Sequence, residues 1–226
     1  MYKEIYVFHK QTRKPKKACI RNYTKHDFQG LIQVQQEAFP PPFPPDLWWN
    51  EEQLTNHTDI FQEGALCVEV DGRIVGSMTG LITQMENPED YHTWEEMTDN
   101  GYISNHNPSG NTLYVVDICI SPTYRPYSLG KCLMQSMFEV VIQYDLDRLL
   151  GGSRMPNYYK YKNELTAEQY VKQVVQGNIY DPVITFLLKT GRMPVKPVPN
   201  YLEDEESCHY GLLMEWKNPF KLQTQK

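Results

Sequence analysis

The chain lacks the signatures of several large function classes. It has no Gly-x-x-x-x-Gly-Lys-[Ser/Thr] run, which excludes a P-loop, and no Gly-x-Gly-x-x-Gly, which argues against a dinucleotide fold. It has no CxxC pair. The five cysteines, Cys19, Cys67, Cys119, Cys132 and Cys208, are odd in number and widely spaced. That argues against a disulfide framework and a structural zinc site. The six histidines are scattered, and none reads as a metal ligand, so no metal is expected. Positive charge is not in excess. The formal net charge is -6, which gives no global sign of nucleic acid or an anionic membrane as partner. No apolar run approaches the roughly twenty residues of a membrane span. Two matches to the glycosylation pattern, Asn22-Tyr23-Thr24 and Asn56-His57-Thr58, have no signal peptide before them, so a cytoplasmic protein is expected. No internal repeat is visible.

What is present is one chain of 226 residues, enough for a single domain with elaborations. Residues 1–17 read as a basic arm or an extra strand. Lys10, Arg13, Lys14, Lys16 and Lys17 fit a solvated arm better than a phosphate patch. The domain proper is expected over 18–219, with a tail over 220–226. Ala18 to Tyr23 suggests a strand. Thr24 and Asp27 form a weak capping box before a helix running to Ala38, on the spacing Phe28, Leu31, Ile32, Gln35, Ala38. Five prolines between Pro40 and Pro45 end it. Asp46 to His57 suggests a second helix. Asp71-Gly72 between two strand-like runs is a hairpin signal. Residues 84–111 are polar and long enough to be an insertion. Later come a strand over Arg148 to Gly152, a helix capped by Thr166 and Gln169, and a helix opened by Asp181-Pro182 and closed by Gly191. Pro194 to Asn200 reads as extended, and Ser207 to Trp216 as a final strand. The acidic run Glu203 to Glu206 and the acids near Asp99 could attract a cation, but charge runs are usually solvated faces. The pattern predicts an α+β fold with a mixed sheet flanked by helices.

The informative stretch is Thr112 to Tyr144. A β-branched and aromatic run, Thr112 to Ile120, is followed by the polar turn Ser121 to Gly130. Then Leu133, Met134, Met137, Phe138, Val141 and Tyr144 recur at helical spacing. Strand, tight turn and helix N-terminus together make an anion site.

The motif Ile120-Ser121-Pro122-Thr123-Tyr124-Arg125 followed by Arg125-Pro126-Tyr127-Ser128-Leu129-Gly130 resembles that of the GNAT superfamily, the acyl-CoA-dependent N-acetyltransferases. Ser128 stands where that family has its first glycine, and Pro126 replaces a common second one. The surrounding order of elements agrees from Ala18 to Pro219. The segments Gly151 to Tyr161, Tyr180 to Val183, Pro199 to Leu202 and Leu213 to Trp216 further resemble acetyltransferase domains that precede carbon–nitrogen hydrolase domains. The resemblance implies a GNAT-like fold with acetyl-CoA as co-substrate and an amine, small molecule or peptide, as acceptor. It implies that Ile118, Cys119 and Ile120 line the pantetheine arm. Arg125, Pro126, Tyr127, Ser128, Leu129, Gly130 and Lys131 would hold the pyrophosphate. The tyrosine many members carry near the end of the late helix is Leu187 here. Chemistry then offers Asp117 as base, and Tyr158 and Tyr161 as proton donors. A non-catalytic acyl-CoA-binding module and a partner subunit for an amidase remain the alternatives. A homodimer is left open.

Overall fold

The Asp-Gly pair forms the tight hairpin its sequence predicts. Asp71 has φ 53° and Gly72 φ 75°, the two left-handed residues of a primed turn. It joins β3 (Ala65–Val70) to β4 (Arg73–Thr83). The computed structural model describes residues 1–221, so most of the 220–226 tail lies outside the described residues. Among the described residues eight strands form one sheet in the order β1-β2-β3-β4-β5-β6-β8-β7. The other strands are β1 (Tyr2–Phe8), β2 (Pro15–Asn22), β5 (Thr112–Ile120), β6 (Arg148–Ser153), β7 (Met193–Val198) and β8 (Gly211–Lys217). All neighbours are antiparallel except β5 and β6, so the sheet is mixed.

Residues 1–17 are mostly strand rather than free arm. Tyr2–Phe8 pairs with Pro15–Asn22, and the basic segment forms the turn and the start of β2. Among the described residues the α-helices are α1 (Phe28–Ala38), α2 (Glu51–Ile60), α3 (Trp94–Thr98), α4 (Leu129–Gln143), α5 (Ala167–Val175) and α6 (Pro182–Lys189). The face of α1 that buries Phe28, Leu31, Val34 and Ala38 packs on β4 and β5. Full burial of each larger apolar side chain contributes about 2 kcal/mol.

Two boundaries differ from the sequence reading. The second helix starts at Glu51 because Asn50 closes a capping box with Gln53. Pro194 to Asn200 is mostly the strand β7. Two prolines are tolerated because β7 is an edge strand, with a bulge between Pro194 and Lys196.

The decisive irregularity lies in the centre. β5 is nine residues long, yet β6 pairs with it only from Thr112 to Tyr114. Beyond Tyr114 the strands part, and β6 continues against β8 alone. β5 also bulges on its other side, where Thr79 pairs with Asp117 but Gly80 with Val115, leaving Val116 without an opposite residue. The free Val116 carbonyl accepts the indole N–H of Trp94 at 3.0 Å, so the insertion is pinned to the bulge. Among the described residues no helix is long and apolar enough to cross a membrane.

Candidate active site

The wedge between β5 and β6 leads straight into the polar turn. Ser121 donates its amide to Val75 on β4, so Ser121, Cys119 and Asp117 direct their backbone groups toward β4. By strand alternation, Ile118 and Ile120 direct theirs to the open edge. Cys119 is therefore not brought to that edge. Its thiol is buried against the Ser77 hydroxyl, 3.3 Å away.

After Ile120 the chain makes a short 3-10 turn over Pro122–Tyr127, and Ser128 caps α4 with φ 60° and ψ 25°. That left-handed conformation is where glycine is favoured. Serine adopts it here, so the geometry of the turn survives the substitution. The amides of Ser128 and Lys131 are used inside the turn, by Arg125 O and Ser128 O. The amides of Leu129 and Gly130 belong to the first helical turn and meet no acceptor among the described residues. Gly130 also keeps the cradle open. A β-carbon there would stand 3.2 Å from Phe186 Cζ on α6 and 3.5 Å from Ile120 Cγ1. Arg125 is exposed and reaches back to the carbonyls of Ile120 (3.4 Å) and Ala38 (3.2 Å). Pro126 O accepts the Lys10 amide, and the Tyr127 ring meets His9 edge-on at 5.2 Å. Lys131 is exposed in the first turn of α4. These residues, with two free amides and an open helix N-terminus, suit a pyrophosphate.

On the α1 face of the sheet stands Asp117. The residue is half-buried, but its Oδ2 is wholly covered and has no hydrogen-bond partner. Burial pushes its carboxyl up to about 6. Gln35, Cys119 and the Ile118 amide pull the other way and do not cancel it. A carboxylate poised there can take a proton near neutrality.

Tyr158 and Tyr161 lie elsewhere. Tyr158 donates to Leu165 O and packs on Tyr170 and Tyr210, and Tyr161 packs on Tyr170. The Tyr158 hydroxyl is spent on a carbonyl, and these contacts run to α5 rather than β5. Leu187 is buried apolar surface on α6.

The face opposite α4 is walled by segments far apart in sequence. Tyr201 fills the space over Gly152, where a β-carbon would fall 2.1 Å from its Cζ. Its hydroxyl meets Tyr114 at 2.7 Å, and Tyr114 meets His92 Nε2 at 2.9 Å. Arg154 binds Asp204 at 2.7 and 2.8 Å, binds Glu206 at 2.8 Å, and covers the Phe43 ring at 5.1 Å. Arg154 thus ties down Asp204 and Glu206 of the acidic run, while Glu203 and Glu205 stay exposed. Gln35, Thr79, Trp94 and Tyr201 were given no role by the sequence. Gln35 left a trace as a polar residue on the apolar spacing of α1, and Tyr201 as part of the Pro199 to Leu202 segment. Among the described residues no group of three or more metal-ligating side chains comes together.

Three comparisons bear on this geometry. The model of the "Acetyltransferase (GNAT) family" matches residues 28–159. A Bacillus subtilis protein named "Uncharacterized N-acetyltransferase YkwB" is 55% identical over 218 residues, covering 96% of each chain. A second B. subtilis protein, "Probable hydrolase YhcX", is 39% identical over 208 residues, which are 92% of this chain but 40% of that one. Among solved structures, the loading GNATL domain of CurA from Lyngbya majuscula superposes with a TM-score of 0.76 at 20% identity, covering 89% of this chain and 98% of that one. With wedge, turn and near-full-length sequence in agreement, the chain belongs to the GNAT family and is an acetyltransferase.

Proposed function

We propose that this acyl-CoA-dependent enzyme moves an acetyl group from acetyl-CoA directly to an amine, of a small molecule or a peptide, with Asp117 as the base. The observation that carries the reading is the open edge of β5. It leads at one end into two unpartnered amides and carries beside it a carboxyl raised toward neutrality. The edge groups of Ile118 and Ile120 suit the amides of pantetheine. Leu129 and Gly130, helped by Arg125, suit the pyrophosphate. The amine nitrogen attacks the thioester carbonyl carbon, the carbon–sulfur bond breaks, and the amine proton passes to Asp117. Binding both reactants in one wedge supplies the orientation that dominates such transfers. Leu187 can give the thiolate no proton, so the sulfur leaves without an acid at that place on α6.

Calorimetric titration of acetyl-CoA tests the donor half. Arg125→Ala should weaken binding about tenfold, the value of one charge-assisted contact. No binding to the unaltered protein at millimolar ligand overturns the reading. Thiol release against an amine panel tests the acceptor half, and Asp117→Asn should abolish most of it near pH 7.

A second reading rests on the longer relative. This chain is similar to part of a protein named a probable hydrolase, and a partner subunit for such an enzyme should co-purify with it from the native host. A solitary chain with amine-dependent thiol release rejects that reading.

A further inference from the structure

The basic run near the start of the chain is docked on the corner between β5 and α4. A run of like charge usually marks a solvated face. What distinguishes this one is where the β1–β2 hairpin puts it. The Lys10 amide donates to Pro126 O at 3.0 Å, and the His9 ring meets the Tyr127 ring edge-on at 5.2 Å. From Pro126 to Leu129 the chain advances only roughly 6 Å at 3-10 pitch. The hairpin tip therefore stands beside the unpartnered amides of Leu129 and Gly130.

The backbone of the tip is itself fixed. The His9 amide donates to Lys14 O at 3.0 Å, and the Arg13 amide donates to His9 O at 2.9 Å. His9 Nδ1 accepts the amides of Gln11 and Thr12 at 3.3 and 3.2 Å. Arg13 takes a left-handed φ of 61° as the chain turns back. The cations thus stand on ordered backbone, and gripping an anion costs mainly side-chain freedom.

Charge partners divide the run. Lys16 pairs with Asp71 at 2.6 Å, and Lys17 pairs with Glu4 at 2.7 Å. Lys10, Arg13 and Lys14 are exposed, and among the described residues no carboxylate pairs with any of them. The same holds for Arg125 and Lys131 on the turn and helix they adjoin. Two acids border this corner, and both are taken. Glu37 accepts the Ser121 hydroxyl and pairs with Arg73, while Asp71 holds Lys16. Lys10, Arg13, Lys14, Arg125 and Lys131 thus gather at one corner of a chain whose net charge is -6. Such a cluster repels itself until an anion joins it.

CoA carries more negative charge than its pyrophosphate alone. A phosphomonoester sits on the 3′ carbon of its ribose and is close to dianionic at neutral pH. With the pyrophosphate on Leu129 and Gly130, that ribose is the next unit of the molecule. We infer that the hairpin tip at residues 10–14 seats the ribose 3′-phosphate of acyl-CoA, so that the enzyme tells acyl-CoA from donors lacking that group. The inference rests on the corner taking the pyrophosphate.

The test is calorimetric titration of acetyl-CoA and of its 3′-dephospho form. The unaltered protein should bind acetyl-CoA about tenfold more tightly, and added salt should narrow the gap. Lys10→Gln/Arg13→Asn/Lys14→Gln removes the three charges, and asparagine tolerates the left-handed position. In that variant the gap should close. Lys14→Gln alone should close part of it, and it serves if the triple variant fails to fold. Equal binding of the two forms by the unaltered protein overturns the inference. So does a folded triple variant that keeps the full gap, whether or not it weakens on both forms, because the phosphate is then seated elsewhere. Failure of the donor reading looks different: neither form binds the unaltered protein at millimolar concentration, and the inference falls with it.

Discussion

Asp117→Asn should make the protein more stable at neutral pH while making it a worse enzyme. The carboxyl rises from its ordinary 3.8 to about 6 on folding, and burial is the leading cause. The sign follows from linkage. Between those two values the folded state binds more protons than the unfolded state, so this residue's contribution to stability falls as pH rises from about 4 to about 6. Above that window the folded protein carries the full cost of an ionised carboxylate in a covered position. A shift of that size corresponds to about 3 kcal/mol. Asparagine removes the charge at nearly the same volume. Urea unfolding at pH 7.5 should therefore show the variant more stable by about 2–3 kcal/mol, and at pH 4.5 the gap should shrink to less than half. The difference between the proteins is the readout, because the raw curve is masked. His57 is held neutral in the fold, and its contribution is lost as pH falls from 6.5 toward about 4, opposing Asp117 over the same range. A variant no more stable than wild type at pH 7.5, or a gap that does not shrink in acid, refutes the reasoning.

Ser128→Gly should stabilise the protein by about 0.5–1 kcal/mol in the same unfolding assay. Relief of the left-handed φ of 60° outweighs the extra freedom glycine gives the unfolded chain. Gly152→Ala should cost about 3 kcal/mol, seen as a Tm lower by about 10 °C, because its β-carbon would overlap the Tyr201 ring. Asp181→Ala should cost about 3 kcal/mol by urea unfolding. Asp181 caps α6 through Val183 N and Ile184 N, both at 3.0 Å, and accepts the Tyr170 hydroxyl at 2.7 Å.

The proposed donor half of the site is legible in the sequence because its requirements are local. A strand, a left-handed corner and a helix N-terminus follow one another within twenty or so residues, and each leaves its own period or turn residue in the sequence. The corner is legible even through Ser128, since a small residue between a strand and a helix marks the turn. The acceptor half has no such signature. The wedge arises because β6 stops pairing with β5 after Tyr114, and strand pairing is a property of two segments, not one. Asp117 shows as a carboxylate on a strand, but its proton affinity depends on burial under other elements and on neighbours such as Gln35 of α1. Tyr158 and Tyr161 show the converse. An aromatic loop looks chemical in one dimension, whereas in three both rings pack on Tyr170 of α5 and the Tyr158 hydroxyl donates to Leu165 O. This asymmetry is physical. Acyl-CoA presents the same pyrophosphate and pantetheine to every enzyme that uses it, so a local backbone cradle suffices. An acceptor is recognised by its own shape, and side chains such as Trp94, Arg154 and Tyr201 are held by contacts to Val116, Asp204, Gly152 and Gly211 that no single stretch encodes.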